Sequence, residues 1–355
     1  MPTQYTVFRL PGKGASINAL KSHKEPMPEI DKHQIVVKVN AVALNYRDIA
    51  ICEGTYPFPV KDSVVPCSDM CGTIVQVGSL VKAFSKGDKV IALFMQNALY
   101  GPCDDWTDGL GGPKDGVLQE YCVFSETGLV KIPKESLLTD CEHASLVCTG
   151  VTTWNALYGN IPLTPGQTVL VLGTGGVSIT ALQIAKTAGA KTIVTSSSDV
   201  KLKHVQSTYK ATHAINYKKC PNWEEEVLKV TNGHGADYII ETGGVGTIEQ
   251  SLKCVAYGGI ISVIGFLADT PPNQRPNVAA LALNRGANVR GIMVGNRQQL
   301  EEVVRFVVVN NIHLPVDKEF PFSDAGVLEA YSYMAQQGHV GKICIKFSPL
   351  DVVHK

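Results

Sequence analysis

Val169-Leu-Val-Leu172 runs straight into Gly173-Thr-Gly-Gly-Val-Ser178, and the reading of this stretch decides the fold. Four consecutive apolar residues ending in glycine fit a strand buried on both faces. Beyond the turn, Val177, Ala181, Ile184, Ala185 and Ala188 share one face of a helix. Gly189 is placed to close that helix as a C-cap. A strand, a glycine turn and a helix in this order present free N–H groups and the positive end of a helix dipole to a diphosphate. Gly173 serves the tight bend and Gly175 the close approach of backbone to ligand, with Thr174, Gly176 and Val177 completing the cradle. Ser178 stands at the third glycine of G-x-G-x-x-G, a departure that touches helix–strand packing and leaves the phosphate site intact. The stretch predicts a dinucleotide site; a glycine-rich turn without a ligand is the plainer alternative.

Outward toward the C-terminus, further short apolar runs follow at Thr192–Thr195, His213–Ile215, Asp237–Glu241, Ile260–Ile264 and Asn288–Ile292, most of them separated by segments of helix length. Strands alternating with helices imply right-handed crossovers and a parallel, doubly wound sheet. Toward the N-terminus the pattern changes. Ile35–Val39, Gly72–Gly78, Asp88–Leu93 and Glu120–Phe124 are strand-like, divided by Gly, Pro and Asp, and helical periodicity is nearly absent, so residues 1–150 read as a β-rich unit. In the tail, Glu301–Asn310 contains VVRFVVV, which periodicity alone does not divide between helix and strand; acidic residues at its start and an Asn-Asn pair at its end favour a helix. Glu329–Gln337 reads as a second helix and Lys342–Lys346 as a final strand.

The chain has 355 residues with 32 basic and 32 acidic side chains, so length suggests two domains and zero net charge gives no field to hold a polyanion. Nucleic acid is therefore not an expected partner. No window offers the roughly 20 uninterrupted apolar residues of a membrane span. The start, MPTQYTVFRLPGKG, has no apolar signal core, so a cytoplasmic protein with reduced thiols is expected, and the ten cysteines include no CxxC pair. Cofactor choice turns on the end of the second strand, where an acidic residue would repel a 2′-phosphate. There the chain has Thr195-Ser-Ser-Ser198 with Lys201 close behind; the hydroxyls of Ser196 and Ser197 plus an ammonium suit a phosphate, favouring NADPH over NADH. The alternative is a polar helix start with a solvated lysine and Asp199 as cap.

Taken together, LNYRD (44–48), PCSDMCG (66–72), DGVLQEY (115–121), CTGVTTWNAL (148–157), GTGGVS, INY (215–217), the glycines around Gly258 and Gly265, VGNR (294–297) and GHVGK (338–342) resemble the medium-chain dehydrogenase/reductase superfamily. Within it the chain is most similar to the zinc-free branch of quinone-oxidoreductase-like and alcohol-dehydrogenase-like proteins. The resemblance spans nearly the whole chain. It implies an α/β fold with a GroES-like β-barrel catalytic domain over 1–150, completed by 294–355, and a Rossmann doubly wound parallel sheet over 151–293. It also implies a homodimer joined through the strand near Val289–Val294 and a small-molecule substrate. Tyr217 joins Lys201 and Ser196 at the position that grips a 2′-phosphate, although one extra residue separates Lys201 from Tyr217 and Lys210 stands where glycine is common. Thr152, Gly265 and the Val294, Asn296 and Arg297 segment match cofactor-contacting positions.

Zinc-dependent relatives place Cys, His and Cys on a catalytic ion; here the matching residues are Asn45, Ser68 and Cys148, with Asp69 at the neighbouring acidic position. An amide and a hydroxyl are poor substitutes for those ligands. The four-cysteine structural lobe is also missing, with only Cys103 and Cys122 in that stretch, so no bound zinc is expected. Hydride transfer to a carbonyl or an enone develops negative charge on oxygen, and without a Lewis acid hydrogen-bond donors must stabilise it. The resemblance points to Asn45 and Tyr56, with Tyr46 as a third donor, and leaves Asp48 as a structural carboxylate. It implies a quinone or enone reductase. A carbonyl reductase or alcohol dehydrogenase would use the same residues, and an NADPH-binding protein with little catalysis remains the alternative from another class.

Overall fold

The computed structural model describes residues 2–268 and 270–348. The chain forms two compact units, one made of Thr152–Val294 and the other of the described residues on either side of it.

The first unit begins with an antiparallel pair, β1 (Gln4–Arg9) and β2 (Lys21–Pro26). Then come β3 (Gln34–Ala43), α1 (Tyr46–Glu53), β4 (Asp69–Val77), β5 (Lys89–Ala92), β6 (Tyr121–Ser125), β7 (Leu129–Lys131) and α2 (Asp140–Ser145). β3 is the hub: it pairs antiparallel with β4 and with β6, and Ile35, Val36, Val37, Val39, Val42 and Ala43 are all buried. A strand this apolar on both faces needs cover on both sides. Helix α1 forms where the sequence shows almost no helical periodicity. Asp48 starts it by accepting the Asn45 N–H at 2.8 Å, and Gly54 ends it in the left-handed region at φ 78.

After α3 (Val151–Tyr158) the second unit supplies β8 (Thr168–Leu172), α4 (Gly176–Thr187), β9 (Lys191–Ser196), α5 (Asp199–Tyr209), β10 (His213–Asn216), α6 (Trp223–Val230), β11 (Ala236–Glu241), α7 (Ile248–Cys254), β12 (Val255–Val263), α8 (Val278–Arg285) and β13 (Asn288–Gly291). Every pairing in this sheet is parallel and the order is β10-β9-β8-β11-β12-β13. Counted from β8 as first strand, that is 3-2-1-4-5-6, the doubly wound Rossmann arrangement with its switch between β8 and β11. All five residues of β8 are buried, as its apolar run predicts. Gly189 lies one residue past the C-cap Ala188, at φ 85.

The tail then returns to the first unit. Here α9 (Arg297–Val309) settles the VVRFVVV segment as helix, followed by β14 (Val316–Pro321), α10 (Asp324–Ala335) and β15 (Lys342–Lys346). β15 pairs antiparallel with β3 and parallel with β14, completing the seven-stranded sheet of the first unit. Among the described residues no helix is long and apolar enough to cross a membrane.

Candidate functional site

In the second unit, β8 delivers the chain to Gly173 at φ 79, a backbone region that favours glycine, and Gly175 precedes α4 with no side chain capping the helix start. A Cβ placed on Gly173 or Gly175 would meet nothing within 4 Å, so the turn faces open space. Open space in front of uncapped N–H groups fits a diphosphate. Ser178 explains the missing third glycine: its Oγ donates to Leu172 O at 2.6 Å, so the helix is fastened to the strand by a hydrogen bond. Thr174 is buried, while Gly176 and Val177 are half-buried.

At the end of the next two strands, Asn216 of β10 pairs with Ser196 of β9, and Tyr217 N donates to Ser196 O at 3.1 Å. The register therefore sets the half-exposed Tyr217 beside Ser196. Ser196 Oγ accepts from Ser198 N at 3.3 Å, and Ser198 caps α5 by accepting from Lys201 N at 3.4 Å. The cap is thus Ser198 and not Asp199. The Asp199 carboxylate is held by Lys219 Nζ at 2.5 Å and, second, by Asn216 Nδ2 at 2.6 Å, which keep its carboxyl below the usual range. Lys210 ends α5 in the left-handed region at φ 58, the conformation that makes glycine common there.

One feature of this unit escaped sequence reasoning. Glu241, fully buried at the end of β11, accepts from Gly243 N at 2.9 Å, Gly244 N at 3.0 Å and Thr247 Oγ1 at 2.5 Å, and also from Ser251 Oγ. It holds the loop after β11 that Gly265 abuts; a Cβ on Gly265 would lie 2.2 Å from Thr242 O. An acidic residue ending an apolar strand and followed by two glycines was the available signal. Val294, a β-branched residue at φ 48, is an uncommon backbone state, and Asn155 Nδ2 donates to its carbonyl at 3.0 Å. Thr152 is buried in α3.

In the first unit, five residues from four parts of the chain form a polar cluster, buried except at the half-buried Cys148. Asn45 stands at the start of α1, Ser68 and Asp69 at the start of β4, Cys148 in a single π-helical turn at Leu146–Gly150, and Lys342 at the start of β15. Lys342 is 3% exposed and Asp69 is not exposed at all. Lys342 Nζ donates to Asn45 Oδ1 at 2.6 Å and to Asp69 Oδ2 at 3.5 Å. Asp69 also accepts Ser68 Oγ at 2.7 Å and Cys148 N at 3.2 Å. Asn45 Nδ2 reaches Ser68 Oγ at 3.4 Å, a long contact. Lys342 was missed as a site residue, although a lysine opening an apolar strand already asks for a buried partner.

The donor set can be tested against a catalytic metal. The oxygen of Asn45 and the hydroxyl of Ser68 are turned to Lys342 and Asp69, and an ammonium lies within hydrogen-bond distance of the amide. A cation already sits where a second cation would need those atoms, so the residues do not fit a zinc ion at this position.

Tyr56 is buried near this cluster; burial raises its pKa, the Arg47 charge lowers it, and Cys148 acts in the raising direction. Arg47 lies over the rings of Phe94 at 4.5 Å and Tyr56 at 5.2 Å and donates to Leu110 O at 2.7 Å. Asp48 pairs with the Asn45 amide, and burial pushes its carboxyl up to about 6. Tyr46 is half-buried against the same core. In the tail, Asn296 is engaged as the cap of α9: it accepts Gln299 N at 2.9 Å and donates to Gly101 O at 2.7 Å. Arg297 pairs with Glu301 at 2.8 Å and with Thr127 O at 3.3 Å, the ordinary ion-pair role.

Comparison with known proteins gives two family matches: residues 31–134 match the alcohol dehydrogenase GroES-like domain, and residues 176–308 match the zinc-binding dehydrogenase family. A zinc-type alcohol dehydrogenase-like protein of Schizosaccharomyces pombe is 44% identical over 94% of this chain and 96% of its own length. A quinone oxidoreductase-like protein 2 homolog of Nematostella vectensis is 30% identical over 88% of this chain and 81% of its own. Among solved structures, an NAD-dependent alcohol dehydrogenase superposes with a TM-score of 0.84 at 27% identity, covering 97% of this chain and all of the other.

Proposed function

The chain belongs to the medium-chain dehydrogenase/reductase superfamily, a family of oxidoreductases that bind nicotinamide cofactors, and from that premise we propose a reductase that needs no metal at the reacting oxygen. Its cofactor is NADPH, and its substrate is a quinone, an activated C=C bond or a carbonyl. The observation that carries this reading is Lys342 Nζ on Asn45 Oδ1 at 2.6 Å. By taking its oxygen, Lys342 fixes which way the Asn45 amide points, and Nδ2, with one N–H on the long contact to Ser68 Oγ, keeps a second N–H to donate to a developing oxyanion. The buried ammonium adds positive potential where zinc relatives place an ion, and in a water-poor site that potential is weakly screened. Tyr56 is the second donor, held near its protonated form by burial.

NADPH, when bound, supplies the hydride. The turn at Gly173 and Gly175 and the first N–H groups of α4 would hold its diphosphate, and Ser196, Ser197, Lys201 and Tyr217 its 2′-phosphate. The serines offer hydroxyls, Lys201 an ammonium, and Lys219 neutralises the one carboxylate on the first turn of α5. On the same reading the protein is a homodimer.

The test follows NADPH absorbance against quinones, enones and aldehydes, before and after chelation. Turnover of one class, undiminished by chelation, is expected. Asn45→Ala should lower kcat about 100-fold, the scale for one lost oxyanion donor, with the NADPH dissociation constant little changed. Tyr56→Phe should act in the same direction. Activity lost on chelation, restored by Zn²⁺ and no longer restorable in Cys148→Ser would overturn the metal-free reading; full activity in both Asn45→Ala and Tyr56→Phe would remove the donors. The pair Ser196→Asp with Lys201→Ala should shift preference toward NADH, and an unchanged preference would place the 2′-phosphate elsewhere.

A further inference from the structure

A group of side chains of metal-ligating types lies in the first unit and shares no residue with the Asn45 cluster. Cys71 comes from β4, and Asp140 and His143 come from α2, where a spacing of three puts them on one helix face. One ligand atom from each of the three lies within 4.8 Å of the others. Cys71 Sγ is 3.5 Å from Asp140 Oδ1. Ideal zinc bonds to sulfur and nitrogen or oxygen set the edges of a tetrahedron at about 3.4–3.7 Å, so this edge is already formed and the third ligand has at most about 1.4 Å to close.

His143 supplies the independent observation. It is 1% exposed, and its Nε2 lies 2.8 Å from Ser136 Oγ, while Nδ1 is buried with no hydrogen-bond partner. A buried ring nitrogen without a partner is costly unless something else takes its lone pair. With Nε2–H donating to Ser136, Nδ1 carries that lone pair, and the serine fixes the ring as outer-shell partners do at metal-bound histidines. The placement is rigid: Thr139 and Glu142 cap α2 reciprocally, with Thr139 N to Glu142 Oε2 at 2.7 Å and Glu142 N to Thr139 Oγ1 at 3.2 Å. Asp140 is half-exposed, which leaves a route from solvent.

We propose that Cys71, Asp140 and His143 form a site for a divalent zinc-type cation, with water in the fourth position and no part in hydride transfer. A thiol, an imidazole and a carboxylate are the ligand types that zinc accepts together. Binding replaces the Cys71 S–H bond with a sulfur–metal bond, and the proton leaves to solvent. One native group competes. Lys89 Nζ sits 2.6 Å from Asp140 Oδ1 with 42% of its side chain exposed, so a surface ammonium must yield to the ion. The expectation of no bound zinc rested on the two family sites, and this set is neither of them.

The experiment uses the full chain, stripped with a chelator and titrated with Co²⁺ and then Zn²⁺. Expected is one Co²⁺ per chain with a thiolate charge-transfer band, displaced by Zn²⁺. The band should vanish in Cys71→Ser and His143→Gln and persist in Cys148→Ser. Lys89→Gln, a surface change that leaves the fold alone, should bind at least about tenfold more tightly because the competing cation is gone. No band in the wild type, a band retained without Cys71 and His143, a band lost with Cys148, or unchanged affinity in Lys89→Gln would each overturn the site. Reductase activity of the stripped protein is read separately, so failure of the metal site leaves the donor assignment untouched, and the converse holds too.

Discussion

Lys342 bonds Asn45, 297 residues away, and both lie in the interior. A buried ammonium is tolerable only with its partners in place. Lys342→Met takes the cation away from the buried Asp69 carboxylate and leaves it, among the described residues, Ser68 Oγ and Cys148 N as hydrogen-bond partners, which should cost about 3–5 kcal/mol of stability. Adding Asp69→Asn should return a large part of that loss, because no buried charge is left unpaired. Denaturant titration of the two single variants and the double variant gives the coupling; additive losses would mean the two residues do not share a charge. Asp48 makes a second argument at this scale. Its folded pKa is pushed from 3.8 up to about 6 by burial. Below about pH 4 folded and unfolded chains both hold the proton. Between about 4 and 6 the unfolded chain loses it first, so stability falls as pH rises through that window, by up to about 3 kcal/mol from this group. Asp48→Asn should flatten that slope, and an unchanged slope would place the titration elsewhere. Asn45 was legible because its motif is continuous in sequence. In the sequence Lys342 is visible only as the end of GHVGK, because its partners come from distant segments and meet only after the sheet forms.

Among elements, α4 and its turn were the most legible, since one short segment carries strand, glycines and helical face together. The cradle makes a prediction with separable readouts. Gly175 has φ −76, which alanine adopts freely, and its Cβ would meet nothing within 4 Å. Gly175→Ala should therefore change stability by less than about 0.5 kcal/mol. Its methyl would occupy the space open to a diphosphate, so NADPH affinity measured by fluorescence titration should fall at least about tenfold; unchanged affinity would deny the turn its ligand. At the far end of the next helix, Lys210 at φ 58 carries a strain that Lys210→Gly should relieve by about 1 kcal/mol without moving affinity. Helix α1 was illegible for a physical reason. Ile49-Ala-Ile-Cys52 is buried all round, so no polar face marks a period, and only the cap at Asn45 and Asp48 and the stop at Gly54 carried a signal.

At the scale of the whole molecule, alternation of strand and helix declared the parallel sheet, but not the edge its last strand would leave open. β13 is the outer strand of that sheet, paired on one side to β12, and Val289 on it is half-exposed. α8, just before it, reads Val-Ala-Ala-Leu-Ala-Leu-Asn-Arg, yet none of its residues is buried, and Leu283 is 84% exposed. Among the described residues the outer edge of β13 is unpaired, and an open edge with an exposed apolar helix just before it in the chain is a surface that invites strand pairing and aggregation unless covered. A second copy meeting it strand to strand would satisfy the free N–H and C=O groups of β13 and bury the α8 face in one step, by a two-fold contact in which each strand does the same for the other. A stable interface of this kind buries more than about 1,000 Å² in total. Sedimentation of the wild type should therefore give a dimer at micromolar concentration. Leu283→Glu with Val289→Lys changes only exposed positions, so the chain should still fold while the dimer dissociates by at least about 100-fold. A monomeric wild type, or a double variant that stays dimeric, would move the contact away from this edge.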